Sequence, residues 1–217
     1  MDDPGLAEEL HGAALRDLAR LNRASFVAAS LWPRVRALAP TSLLDVGCGG
    51  GDVAVALARR ARDEGLPLTV RGCDRSAQAV AFATAQAQRA GVDVEFTTRD
   101  ALGEAARPDE QDVVMCSLLL HHLSGEDALA LLADMARAAR RAVFVSDLGR
   151  SLPGLAIAWL GTRLLTRSPI VHTDALLSVR AAFTPDEALD LARRAGWPAP
   201  RIERVWPCRW LLSSELS

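Results

Sequence analysis

The sequence predicts one open α/β sheet flanked by helices, and three observations carry the prediction. Residues Leu43 to Asp52, LLDVGCGGGD, set a short apolar run with one acid, Asp45, directly before Gly47, Gly49, Gly50 and Gly51, and a helical pattern (VAVALARRA) follows from Val53. From there to Asp100, apolar periods of 3.6 and of two alternate, the pattern of parallel βαβ units. The third observation is capacity: 217 residues, half of them hydrophobic, can bury a full core as a single domain over 1–217.

Charge narrows the partners. With 25 basic and 27 acidic residues and a net charge of -2, no global field draws the chain to nucleic acid or to an anionic membrane. A small-molecule partner is expected. The four cysteines (Cys48, Cys73, Cys116, Cys208) are far apart and lack metal-ligand spacing; three fall in or beside expected buried strands, so all four read as reduced core thiols. No apolar run reaches about 18 residues and no charged-then-apolar leader opens the chain, so a soluble cytoplasmic protein without stable membrane insertion is expected.

Taken in order, Leu6, Leu10, Ala14, Leu18 and Leu21 form a helical stripe, and a second helical segment runs from about Phe26 to Leu38 with Pro33 inside it. Together they make an N-terminal helical arm over residues 1–40. The glycine turn after the first strand is demanded by close approach: without a β-carbon the backbone turns tightly and lets a ligand lie against the amides at the helix start. A nucleotide-like ligand is expected there. A dinucleotide fingerprint needs Gly or Ala where Asp52 stands, and a phosphate loop needs a Gly-Lys-Ser/Thr ending that is absent.

The second strand is LTVRGCD, Leu68 to Asp74, then a helix from about Ser76 to Arg89, then the third strand VDVEFTTRD, Val92 to Asp100. Asp74 stands 23 residues after Gly51, close to the roughly 20-residue interval at which an acid meets ribose hydroxyls in such folds. Its two oxygens can accept from both hydroxyls; the alternative is a cap for the helix from Ser76. Asp100 ends the third strand, before Ala101 and Leu102. The fourth strand, DVVMCSLLLHHL (Asp112 to Leu123), is apolar enough for burial on both faces and ends in His121 and His122, at the carboxyl edge where ligands of open α/β sheets lie. Adjacent residues point apart, so one ring is expected to face the pocket and the other to be structural.

A helix from about Glu126 to Arg140 leads to the fifth strand, AVFVSDLG, with Asp147 at its end. Residues 150–182 then break the regularity with an apolar helical piece, LAIAWLGTRLL, and a looser stretch holding Pro169 and His172. A connection this long reads as a lid or binding element, with a helix contacting a second copy as the alternative; Trp159, His172 and Arg180 are its candidate ligand contacts. Thr184, Pro185 and Glu187 form a capping box that starts the last helix. The tail PAPRIERVWPCRWLLSSE gives two short strand-like runs broken at Pro207.

The D-x-G-x-G of Asp45 to Gly49, with its acid at the strand end, resembles the first motif of class I S-adenosylmethionine-dependent methyltransferases. With Asp74 and Asp100 closing the next two strands, the resemblance covers nearly the whole chain from Leu43 and looks like the ubiquinone-biosynthesis type of small-molecule enzyme. It implies a Rossmann-like, seven-stranded, doubly wound sheet of order 3-2-1-4-5-7-6, closed by a hairpin from the tail, with the arm and the lid insert added. It also implies S-adenosylmethionine as cofactor, held by Asp45, Gly47, Cys48, Gly49 and Gly51 at its amino-acid part, Asp74 at the ribose, Asp100 and Ala101 at the adenine, and by Arg75 and Ser117. The acceptor expected is a small, largely apolar molecule methylated on a phenol- or quinol-like hydroxyl; methylation on carbon or nitrogen is the alternative, and a homodimer is compatible with the family.

In that strand order the fourth and fifth strands are neighbours, so His121 or His122 is the expected base and Asp147 its orienting carboxylate. The fourth strand lacks the N/D-P-P-Y/F signature of relatives that methylate nucleobase amines, and it lacks the acids of magnesium-dependent catechol enzymes, so neither nucleic acid nor metal is expected. Two other classes use this fold. An NAD(P)-linked oxidoreductase is disfavoured by Asp52 at the third glycine position, and a non-catalytic cofactor-binding scaffold by the retained acids and histidines.

Overall fold

The computed structural model of the chain describes residues 27–104, 111–166 and 168–216; the stripe Leu6 to Leu21 lies outside them. Helix α1 (Val27–Leu38) keeps Pro33 inside it and buries Val27, Leu31, Trp32 and Val35. There follow β1 (Ser42–Val46), α2 (Asp52–Asp63), β2 (Thr69–Asp74), α3 (Ala77–Ala90), β3 (Val94–Thr98), the short α4 (Ala101–Glu104) and β4 (Gln111–Ser117). After a turn of 3-10 helix (Leu120–His122) come α5 (Gly125–Ala138), β5 (Ala139–Leu148), α6 (Leu152–Leu165), α7 (Pro169–Ala181), α8 (Pro185–Arg194), β6 (Arg201–Val205) and β7 (Arg209–Glu215).

The seven strands form one sheet in the order β3-β2-β1-β4-β5-β7-β6, parallel except for the final hairpin, as expected. Alternating side chains of the buried central strands feed two cores, one on each face. Leu43, Val113, Met115 and Phe144 pack with Leu31, Trp32 and Leu57 of α1 and α2. Leu44, Val114, Cys116 and Val145 pack with Leu131, Leu132, Met135 and Leu191 of α5 and α8. Helix starts follow local chemistry: Ser76, Ser124, Ser151 and Ser168 each cap a backbone N–H, and Thr184 with Glu187 completes both halves of the capping box.

One boundary differs in a way that matters. The fourth strand stops at Ser117 rather than running on to the histidines, because Leu118 turns the chain with φ 57. The 3-10 turn that follows lifts His121 and His122 off the sheet edge.

Candidate active site

The glycine turn is held at both ends by the sheet. Cys48 N donates to Cys73 O (3.0 Å), Gly51 N to Cys48 O (2.9 Å), and Gly49 N to Asp74 Oδ2 (2.8 Å). Gly47 has φ +65 and its missing Cβ would lie 2.6 Å from Leu119 Cδ2, whereas a Cβ on Gly49 would meet nothing within 4 Å. The turn is therefore packed on one side and open on the other. Gly47, Cys48, Gly49, Gly50, Asp52 and Val53 face a cavity of about 410 Å³. Gly51 does not: a Cβ there would sit 2.8 Å from Ala83 Cβ and from Phe96 Cζ, so its glycine lets α2 close on α3 and β3.

Asp45 lies beneath the turn at 1% exposure, and neither of its carboxylate oxygens has a hydrogen-bond partner among the described residues. Burial, reinforced by the charges of Asp74 and Asp52, pushes its pKa up to about 8. Asp74 both braces the turn and accepts from Ser76 N at 2.9 Å, while the cap of α3 is Ser76 itself, whose Oγ accepts from Ala79 N. Each oxygen still has a second lone pair, although Asp74 does not border the cavity. Asp100 is exposed and accepts from Leu102 N at 3.0 Å, Arg75 is exposed, Ala101 is half-buried, and none of these three borders the cavity. Ser117 does border it.

The parallel register pairs Ser117 with Ser146, which brings the turn after β4 over the end of β5. His121 Nδ1 lies 2.6 Å from Asp147 Oδ1, His121 N donates to Asp147 Oδ2 at 3.3 Å, and Leu148 N donates to Oδ1 at 2.6 Å. The pair is buried, His121 at 7% and Asp147 at 0% exposure. Burial alone would pull the imidazole pKa down, but the charge and hydrogen bond of Asp147 and the charge of Asp174 outweigh it, and Arg209 opposes only in part, so His121 lies above the ordinary histidine value. Burial would raise Asp147; His121, the Leu148 amide and Arg209 outweigh it, and its pKa lies below the usual carboxylate range.

Both histidines border the cavity, which corrects the expectation that only one would. In a 3-10 turn neighbours are about 120° apart rather than opposed as on a strand, and the two rings stand 4.1 Å apart at 40°. His122 is the exposed member.

Helices α6 and α7 roof the cavity through Gly154, Ile157, Ala158, Thr162, Val171 and Asp174. The three residues expected to touch substrate do not border it. Trp159 is 49% exposed on the outer face of α6 with Arg163 Cζ 4.3 Å above its ring, His172 Nε2 lies 3.0 Å from Thr166 O, and Arg180 is exposed. Helical phase explains this: the inward stripe of α6 runs through Gly154, Ile157 with Ala158, and Gly161, and Trp159 falls one step of about 100° off it. Three charged residues that the sequence reading did not mark for the site border the cavity, Asp52, Asp174 and Arg209. The thiols divide likewise: Cys73 and Cys116 are buried, while Cys48 and Cys208 border the cavity. No helix among the described residues is long and apolar enough to cross a membrane.

A family model described as a methyltransferase domain matches residues 43–142. The ubiquinone biosynthesis O-methyltransferase of Thiobacillus denitrificans is 34% identical over 173 residues, covering 76% of this chain and 68% of that protein. The protein of the same description from Cupriavidus pinatubonensis is 30% identical over 164 residues, covering 75% of this chain and 62% of its own. The chain spans between 54% and 68% of the length of these and similar curated relatives. Magnesium protoporphyrin IX methyltransferase from Synechocystis PCC 6803, solved with S-adenosylhomocysteine bound, shares the fold at a TM-score of 0.64 and 20% identity, over 89% of this chain and 83% of that one.

Proposed function

The chain belongs to the class I S-adenosylmethionine-dependent methyltransferases, and from that premise we propose that it methylates a hydroxyl group of a small, largely apolar acceptor of phenol or quinol type. The residues present fit the cofactor. Asp45 offers two buried oxygens without a hydrogen-bond partner among the described residues, and the acids Asp52 and Asp74 beside it suit a cation and repel a phosphate, with the Asp45 carboxyl able to give up its proton when a cation binds. Bound there, S-adenosylmethionine supplies an electrophilic methyl group on a sulfonium centre.

What the chain itself contributes is position, dryness and a base. Aligning acceptor and methyl in one cavity is worth about 7 to 11 kcal/mol of the barrier in favourable cases. The α6–α7 roof, as a lid, excludes water, and its Ile157, Ala158, Val171 and Val179 favour an aromatic or aliphatic body over a charged one. With Nδ1 of His121 committed to Asp147, Nε2 is the nitrogen left to receive the acceptor's proton, and the carboxylate both orients the ring and stabilises the imidazolium.

The observation that carries this reading is the 2.6 Å His121–Asp147 contact in the wall of the same cavity that the glycine turn borders. A neutral amine, which attacks through its lone pair before it loses a proton, has less need of such a base. The test is incubation with S-adenosylmethionine and a panel of phenols, quinols and alkyl-substituted phenols, with products read by mass spectrometry. At least one member is expected to gain a methyl on oxygen; methylation on carbon or nitrogen, or no product from the whole panel, contradicts the proposal.

A further inference from the structure

Arg209 opens β7, where the antiparallel register sets it opposite Leu148 on one side and Val205 on the other. This position aims a guanidinium at the end of the sheet, beside the dyad. The residue is 7% exposed, borders the cavity, and its Nη1 has no hydrogen-bond partner among the described residues. A buried guanidinium nitrogen left without an acceptor is costly, and a cation removed from water more so. Its charged neighbours are few. Asp147 on β5 attracts it but already accepts from His121 and Leu148 N, His121 in the 3-10 turn repels it when protonated, and Asp174 on α7 acts on His121. Burial brings Arg209 down to about 10, still cationic at neutral pH.

We propose that Arg209 receives the acceptor's oxygen as an oxyanion, so that the acceptor is an arene with an acidic hydroxyl, bound and methylated as its phenolate. This rests on the methyl-transfer reading above and adds to it the ionisation state of the acceptor. The cavity lining then carries both signs of charge: Asp52 beside the glycine turn and Asp174 on α7, and Arg209 on β7. The acceptor hydroxyl gives its proton to His121 Nε2 and its oxygen pairs with the guanidinium. That oxygen then bonds to the methyl carbon as the carbon–sulfur bond breaks, with the bonding pair staying on sulfur. Phenolate and sulfonium charges cancel, the neutral ether no longer engages Arg209, and the proton passes from His121 to water.

The experiment uses para-nitrophenol, whose phenolate absorbs visibly, titrated into the full chain loaded with S-adenosylhomocysteine. Wild-type protein is expected to hold the probe ionised at least about one pH unit below its ionisation in free solution, roughly a tenfold rise in the phenolate ratio. Arg209→Met, which keeps the bulk and removes the charge, is expected to abolish the shift. Arg209→Lys, a shorter point charge, is expected to keep part of it, and it decides the matter if the methionine variant does not fold. Equal ionisation in wild type and either variant, or no binding of the probe to wild type, overturns the inference. Calorimetry with S-adenosylhomocysteine separates the two readings. Absent cofactor binding sinks the methyl-transfer reading, whereas intact cofactor binding with an unshifted probe sinks only the role of Arg209.

Discussion

Replacing His121 with alanine is expected to lower turnover by about 100- to 10,000-fold, the range of general-base assistance, with affinity for S-adenosylmethionine unchanged. The geometry explains the selectivity: His121 is buried, tied to Asp147 and borders the cavity, while His122 is exposed with its ring 4.1 Å from that of His121. His122→Ala should therefore cost less than about tenfold, one pK unit's worth of interaction. The sign of the pH dependence follows from the pair. Only neutral His121 accepts a proton, and its pKa is raised, so turnover should climb with pH through a value above the ordinary histidine 6.5. Asp147→Asn removes the main raising cause, so that limb should move to lower pH while the maximum falls, because the base is weaker and its tautomer no longer fixed. The loss in His121→Ala should shrink for phenols that ionise unaided. Near-normal turnover in both the His121 and Asp147 variants would mean that proximity alone carries the reaction.

The second large effect is at Asp45. Asp45→Asn should weaken S-adenosylmethionine binding by at least about tenfold, the equivalent of one pK unit of interaction, and should at the same time stabilise the free protein. The carboxyl titrates at 3.8 when unfolded and at about 8 in the fold. Its folded-state pKa is raised, so the native state is favoured most below 3.8, and stability is lost as pH climbs from there toward 8. The asparagine variant does not titrate, so its advantage should widen across that window. A gain of even 1 kcal/mol would lift the melting temperature by about 2 to 4 °C at this chain length. Cofactor binding to the wild type should release a proton below pH 8, visible as a dependence of calorimetric heat on buffer ionisation. A variant no more stable than wild type at neutral pH, with unchanged cofactor affinity, would show that Asp45 is neither strained nor used.

These two sites were open to sequence reading for different physical reasons. Asp45 and the glycines announce themselves because a strand, a turn that needs positive φ at Gly47 and Gly49, and a helix follow one another within ten residues. The meeting of His121 with Asp147 follows from strand order, since β4 and β5 are parallel neighbours and the turn after Ser117 lies beside the last residues of β5. What the pattern could not carry is phase and register. The chemistry of Trp159, His172 and Arg180 suits substrate contact, yet α6 and α7 present Ile157, Ala158, Asp174 and Ser178 to the cavity, and nothing local to LAIAWLGTRLL sets that rotation. Arg209 is invisible in RVWPCRWLL because its inward position depends on the pairing of β7 with β5, a contact between segments about sixty residues apart. The positive φ at Leu118, which turns the chain so that both histidines reach the cavity, has no glycine to signal it.

The most direct test of the account is a crystal structure of the chain with S-adenosylhomocysteine and para-nitrophenol bound together. The account predicts the cofactor's amino-acid part over Gly47 to Gly50, its sulfur toward His121, and the phenolic oxygen within about 3 Å of His121 Nε2, the reach of a general base. A phenol bound outside the α6–α7 roof, or a sulfur turned away from the His121–Asp147 pair, would contradict it.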